Sequence, residues 1–236
     1  MKITDYFSED AEGIQFSRQQ SSDFAKQVAD DFNPIHNPDS KRFCVPGDLL
    51  FAVVLYRYGL CEQMHFNFSG LLADGISLRF PETGSSDISI TDSSGKEYLN
   101  FNRSGNCSSE PGLIRDLTQS YVAFSGHNFQ HVLVPLMREK SVMINPDRPL
   151  VIYESMSVDL KRLDITNPAL KLEKSSLEVN GKRGNVRMDF RLTADQGDFG
   201  VGAKTMILSG LRPAEPAILQ GLLDQYMAYK PAYSQK

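Results

Sequence analysis

The sequence predicts an α+β fold in which a buried helix leads into an antiparallel meander, and in which that order occurs twice. Three observations carry this. Residues 49–56 form an apolar run, the segments after it are short and alternate in polarity, and the same succession returns beyond the polar, turn-rich residues 103–112.

The elements follow in order. Ser21 and Ser22 offer caps for a first helix whose Phe24, Val28 and Phe32 recur every fourth position. It is expected to stop near Asn33, because Pro34 pushes its predecessor out of the helical region. A second helix is expected from Asp48, a good N-cap, to Gly59, a good stop, and its nearly all-round apolar character predicts burial on most faces. Residues 76–80, 88–91 and 98–101 read as strands, with a hairpin turn at Ser94-Gly95.

Residues 103–112 read as a linker. Beyond them, helices are expected over 113–124 and 132–143, then long strands from Leu150, with turns at Asn180-Gly181 and at Asp195-Gln196-Gly197, and an amphipathic helix from Pro216 to Tyr229. Residues 23–37 also share faint local similarity with residues 116–128. The expected modules are therefore 1–105 and 113–236.

Composition narrows the functional classes. The 236 residues are 41% apolar and 23% charged, ordinary for a water-soluble globular chain. A formal charge of -4 argues against nucleic acid as a partner, since phosphate contacts need a basic surface. No apolar run approaches the roughly 20 residues of a membrane span, and none follows the N-terminal Met-Lys, so no membrane and no secretory leader is expected. Cys44, Cys61 and Cys107 stand at unrelated spacings, which predicts neither zinc nor a disulfide framework and points to a reducing, cytoplasmic compartment.

One stretch is odd for a sequence written for stability alone. Asp30 and Asp31 stand together at the carboxyl end of the first helix, where the dipole disfavours negative charge. His36 follows across the Asn33-Pro34 break, so that an acid and an imidazole can meet across a rigid turn. Cys44 beside His36 reads as a small buried cysteine rather than a nucleophile. His127 and His131 have metal-ligand spacing on a helix, but nothing nearby completes a site. His65 reads as a surface residue, and Tyr56 and Tyr58 as core aromatics or as the lining of an acyl tunnel.

The string Asp31-Phe32-Asn33-Pro34-Ile35-His36, followed by Val45-Pro46-Gly47-Asp48-Leu49, resembles the active-site loop and helix start of MaoC-like, (R)-specific enoyl-CoA hydratases of the hot-dog fold. The resemblance covers roughly residues 22–60. It implies that Asp31 and His36 are the acid/base dyad, that Asn33 holds the loop, and that the Gly47 amide polarises a thioester carbonyl. The pattern departs from the family's in three places: His36 is followed by Asn37-Pro38-Asp39, ten residues separate His36 from Gly47, and Pro46 precedes the glycine.

The implied fold is a double hot-dog, two antiparallel sheets each wrapping a central helix, with the acyl tunnel between the halves. The implied activity is hydration or dehydration of (3R)-hydroxyacyl or 2-enoyl thioesters of coenzyme A or acyl carrier protein, without metal or redox cofactor. The pairs are further expected to associate as a homodimer. A thioesterase and a non-catalytic acyl-CoA binding module are the alternatives.

Overall fold

The computed structural model describes residues 1–233, with side chains through residue 228. Its centre is a seven-stranded antiparallel sheet in the order β4-β5-β3-β7-β10-β9-β8. These strands are β3 (Leu60–Phe68), β4 (Asp87–Thr91), β5 (Glu97–Ser108), β7 (Val151–Leu160), β8 (Ala169–Asn180), β9 (Arg183–Ala194) and β10 (Gly197–Ser209). Two small ribbons, β1 (Ser8–Asp10) with β2 (Gly13–Gln15) and β6 (Val142–Met143) with β11 (Arg212–Pro213), flank it. The helices are α1 (Arg18–Asp23), α2 (Gly47–Tyr58), α3 (Pro111–Gly126), α4 (Val134–Glu139) and α5 (Pro216–Tyr233).

This is the hot-dog arrangement of helix against antiparallel sheet. The two expected sheets run together edge to edge, because β3 pairs with β7 from Gln63 opposite Asp159 to Asn67 opposite Ser155. One core gathers around α2, whose residues 48 to 55 are all buried, as its uniform apolar sequence requires. Another gathers around α4, with Val134 and Met137 against Met188, Met206 and Leu208 of the adjoining strands. The turns at Ser94-Gly95, Asn180-Gly181 and Asp195–Gly197 all lie where the sequence puts them.

Several local expectations change. The first helix starts earlier, at Arg18, because Ser17 and Gln20 form a capping box; Ser21 and Ser22 are buried inside it. It then widens into a π turn over Phe24–Val28. The expected linker is mostly strand: β5 runs to Ser108, and polar residues are tolerated there because the Glu62 carboxylate takes the Asn106 amide and side chain across the pair. Residues 76–80 make only isolated bridges, at Leu78 and Arg79. The helix expected over 132–143 is a π turn, then α4, ending before β6.

The cysteine reading is corrected. Cys61 and Cys107 face each other across β3 and β5 and are joined as a disulfide, leaving Cys44 as the free thiol. Spacing along the chain carried no sign of this, since antiparallel register brings together residues 46 apart. No helix among the described residues is long and apolar enough to cross a membrane.

Early and late elements come into close backbone contact at Gly126, the last residue of α3. A β-carbon there would lie 1.7 Å from the Ala29 carbonyl oxygen and 3.1 Å from the Asp31 nitrogen.

Two outcomes are expected. Gly126→Ala forces that backbone apart and lowers stability by about 1–3 kcal/mol in urea unfolding, the usual range for overpacking; unchanged stability would contradict the close packing. Thiol titration should count no reactive cysteine in the native protein, one after unfolding without reductant, and three after reduction. Three without reductant would rule out the Cys61–Cys107 bond.

Candidate functional site

The dyad residues predicted from sequence meet. The first helix ends in a left-handed residue, Asp30 at φ 54°, a conformation that aspartate tolerates better than most side chains. The Asp31 amide then bonds back to the Ala25 carbonyl at 2.8 Å, closing the helix and turning the Asp31 side chain toward the cavity. Asn33 caps the following 3-10 turn, Pro34–His36, by accepting the Ile35 N–H on its side-chain oxygen at 3.2 Å. His36 is thereby carried back until its Nε2 stands 3.6 Å from Asp31 Oδ2.

The imidazole is fixed by its other nitrogen. Nδ1 lies 2.7 Å from the Cys44 carbonyl oxygen, and a carbonyl only accepts, so Nδ1 carries the proton. In the neutral ring Nε2 is then an acceptor, and it faces a carboxylate oxygen that is also an acceptor. The short connection between His36 and Gly47 contributes here: Cys44 N–H bonds the Ile35 carbonyl at 3.1 Å, which holds the Cys44 carbonyl over the ring.

Gly47 begins α2, and Pro46 before it provides no side-chain cap. The first amides of a helix have no carbonyl one turn back to bond, so those of Gly47 and Asp48 stand at the positive end of the dipole beside the dyad. The glycine has a steric cause as well: a β-carbon there would come 2.8 Å from a Tyr153 ring carbon and 3.4 Å from Phe68.

Asp31, Asn33, His36 and Gly47 line one cavity of ≈ 120 Å³, whose wall also includes Phe68, Leu72, Phe129, Val151, Tyr153 and Met206. A neighbouring cavity of ≈ 170 Å³ shares Asn33, Ile35, Phe129 and Val151 with it; Ile144, Pro146 and Leu222 add apolar wall, and Gln225 and Tyr226 also line it. Both halves of the chain therefore build the site. The aromatics singled out for a tunnel lie elsewhere: Tyr56 is exposed, and Tyr58 packs on Phe80 and Phe101.

Two features escaped the sequence reading. Tyr226, on α5, puts its hydroxyl beside the dyad loop: it accepts the Phe32 N–H at 3.2 Å, donates to the Gly126 carbonyl at 3.0 Å, and lies 3.3 Å from Asp31 Oδ1. Burial, with Asp31 beside it, pushes the phenol well above its ordinary value, so it stays a donor. No local pattern marks it; the contact spans nearly the whole chain.

The second is a buried cluster of Asp48, Ser125 and Lys204. Ser125 donates to Asp48 Oδ2 at 2.5 Å and accepts from Lys204 Nζ, which also rests over the Tyr153 ring, 3.7 Å from its centroid. Asp48, expected as an N-cap, is instead the second helical residue, turned inward. Burial raises the pKa of Asp48 and lowers that of Lys204, each opposed by the other's charge. Lys204 had a legible signal: it shares the inward parity of β10 with Met206 and Leu208.

Other candidates resolve plainly. Cys44 is buried in apolar surroundings that push its thiol up to about 11, which leaves it in the unreactive protonated form at neutral pH. His127 bonds Asp30 at 2.7 Å and stacks edge-on against His131, and no group of three metal-ligating side chains gathers among the described residues. His65, on β3, bonds Asn67.

Fold and site together define a hot-dog chain with an acid–imidazole pair in a cavity shared by both halves. The chain belongs to the family described as "Protein of unknown function (DUF3581)", whose profile matches residues 1–217. No curated protein matches it. Among solved structures it is similar to a conserved hot-dog protein of unknown function from Alicyclobacillus acidocaldarius (11% identity, 91% of this chain and 99% of that one, TM-score 0.46). It is also similar to the acyl-CoA thioesterase II TesB2 from Mycobacterium marinum (11%, 89% and 96%, TM-score 0.41). A third similar structure is full-length peroxisomal multifunctional enzyme type 2 from Drosophila melanogaster (12%, 83% and 47%, TM-score 0.44).

Tyr226→Phe should leave the Phe32 amide without its acceptor and the Gly126 carbonyl without its donor. The expected loss is about 1–3 kcal/mol in urea unfolding. A variant as stable as wild type would show that water replaces the hydroxyl and that α5 does not hold the dyad loop.

Proposed function

We propose that this protein adds water to, or removes it from, a 2-enoyl or (3R)-hydroxyacyl thioester of coenzyme A or acyl carrier protein, with Asp31 and His36 as the acid/base dyad. The observation that supports the reading most is the pairing of two acceptors, His36 Nε2 and Asp31 Oδ2, at 3.6 Å. They cannot bond each other without an added proton. A water placed beside both donates one hydrogen to each, which is the arrangement that hydration requires.

In the forward direction the water oxygen bonds to C3 of the enoyl group while one member of the dyad takes a water proton. The electron pair of the C2–C3 double bond moves toward the thioester oxygen, where the Gly47 amide at the start of α2 stabilises it. The dyad then returns a proton to C2, so the addition balances without an external oxidant or reductant. Asn33 and Tyr226 are positioning residues, since both act on the loop that carries the dyad.

The modules 1–105 and 113–236 belong to the same proposal, the first bearing the dyad and the second closing the cavity and its apolar extension, where an acyl chain would lie. Thioester hydrolysis is the alternative chemistry. It needs a nucleophile or an activated water at the carbonyl carbon, and the protonated Cys44 is unsuited to the first role.

The test is the loss of enoyl-CoA absorbance with crotonyl-CoA and longer homologues. Asp31→Asn and His36→Ala are each expected to lower kcat by about 10²–10⁴-fold, the range for a positioned acid or base. Release of free thiol without hydration would transfer the reading to a thioesterase. Acyl-CoA binding without turnover of any chain length would make the protein a binding module.

A further inference from the structure

The connection from His36 to Gly47 carries the carbonyl that fixes the imidazole, yet residues 37–46 form neither strand nor helix. Its backbone is tied at the two ends. Asn37 N–H bonds the Pro34 carbonyl at 3.1 Å and Ser40 N–H the Asn37 carbonyl at 3.0 Å; Cys44 N–H then bonds Ile35, and Val45 N–H bonds the Leu72 carbonyl at 2.8 Å. The stretch between those ends closes the loop, and a side chain from another element holds it. Which nitrogen of His36 carries the proton follows the bond made at Nδ1, so the position of the Cys44 carbonyl decides what Nε2 can do.

That side chain is Arg18, the first residue of α1. Its Nη1 donates to the Pro38 and Ser40 carbonyls, each at 3.0 Å. Its guanidinium carbon lies 5.0 Å from the centroid of the buried Phe43 ring. Its Nε stands 3.0 Å from Asp74 Oδ2, two residues beyond the Leu72 carbonyl that takes Val45. One planar fork thus reaches two carbonyls, a ring and a carboxylate, which an ammonium cannot do at once. The charge is already matched by Asp74, so the guanidinium is not set out to take a substrate anion. Both members of the pair are more than a third exposed, at 38% and 40%, and such an ion pair adds little stability. We propose that Arg18 is a positioning residue of this site: by gripping residues 38–43 it keeps the Cys44 carbonyl on His36 Nδ1, so that Nε2 stays an acceptor facing Asp31. The inference rests on the hydratase reading only for the use to which Nε2 is put.

The test is the imidazole nitrogen NMR spectrum of the ligand-free protein labelled at its four histidines, with the His36 signals assigned by their absence from His36→Ala. Wild type is expected to show His36 as a single Nδ1–H tautomer. Arg18→Met should give a mixture of both tautomers, with the Nδ1 proton exchanging about 10-fold faster or more as the loop opens locally. With crotonyl-CoA the same variant should lose about 10-fold or more in kcat while KM stays within about two-fold, the mark of a misplaced reacting group. Arg18→Lys is expected to move His36 in the same direction and serves as the readout if Arg18→Met does not fold. Asp74→Asn leaves both carbonyl bonds in place and should leave the tautomer unchanged.

A single Nδ1–H tautomer in folded Arg18→Met, or in Arg18→Lys where the first does not fold, overturns the inference. So does an equal tautomer shift in Asp74→Asn, which would make the exposed ion pair responsible rather than the grip on the carbonyls. The spectrum needs no substrate, so the two readings fail separately. A tautomer shift in a protein whose wild type hydrates no enoyl-CoA sinks the hydratase and keeps the grip, whereas turnover of crotonyl-CoA with His36 unmoved in the variants sinks the grip alone.

Discussion

The structure depends on one close approach, that of the end of α3 to the backbone where the first helix stops. Gly126 lets α3 come against Ala29 to Asp31 with no side chain between them. From that contact three consequences follow. The Gly126 carbonyl is available to the Tyr226 hydroxyl, which also receives the Phe32 N–H. His127, the next residue, reaches Asp30. Ser125, the residue before, reaches Asp48 at the start of α2. Residues 125 to 127 thus attach the second half of the chain to both sides of the first half's dyad loop, and the cavity is the space left between them.

The same contact explains two features that look unfavourable alone. Adjacent aspartates at a helix C-terminus repel each other and oppose the dipole, but Asp30 turns out to His127 while Asp31 turns in to Asn33, Tyr226 and His36. The left-handed backbone at Asp30 separates them. Local strain and local repulsion are held by partners nearly 100 or 200 residues away, as expected of a site whose geometry is over-determined by its surroundings.

What the sequence made legible was whatever local chemistry determines. α2 was readable because a helix apolar on every face must be buried, and the turns because Asn-Gly and Ser-Gly allow few backbone alternatives. The meeting of Asp31 with His36 was readable because only four residues, one of them a proline, separate them. The Cys61–Cys107 pair, Tyr226 and the Asp48–Ser125–Lys204 cluster were not, since each is made by tertiary register. Residues 103–108, the end of β5, read as linker because their polar side chains find partners across the strand pair, which composition cannot register. Lys204 stood closest to legibility, through its inward parity on β10.

The two polar groups of the cavity differ in physical character. The dyad faces remain partly open to solvent and are held by hydrogen bonds from the Asn33 amide and the Tyr226 hydroxyl and to the Cys44 carbonyl. Asp48 and Lys204 are instead a buried ion pair, and such a pair gains little over well-packed apolar residues, because desolvation of both charges offsets their attraction. Here the attraction is weakened further by a separation too long for a direct hydrogen bond. Stability alone therefore gives no reason for a lysine on the inward face of β10 opposite an aspartate at the start of α2.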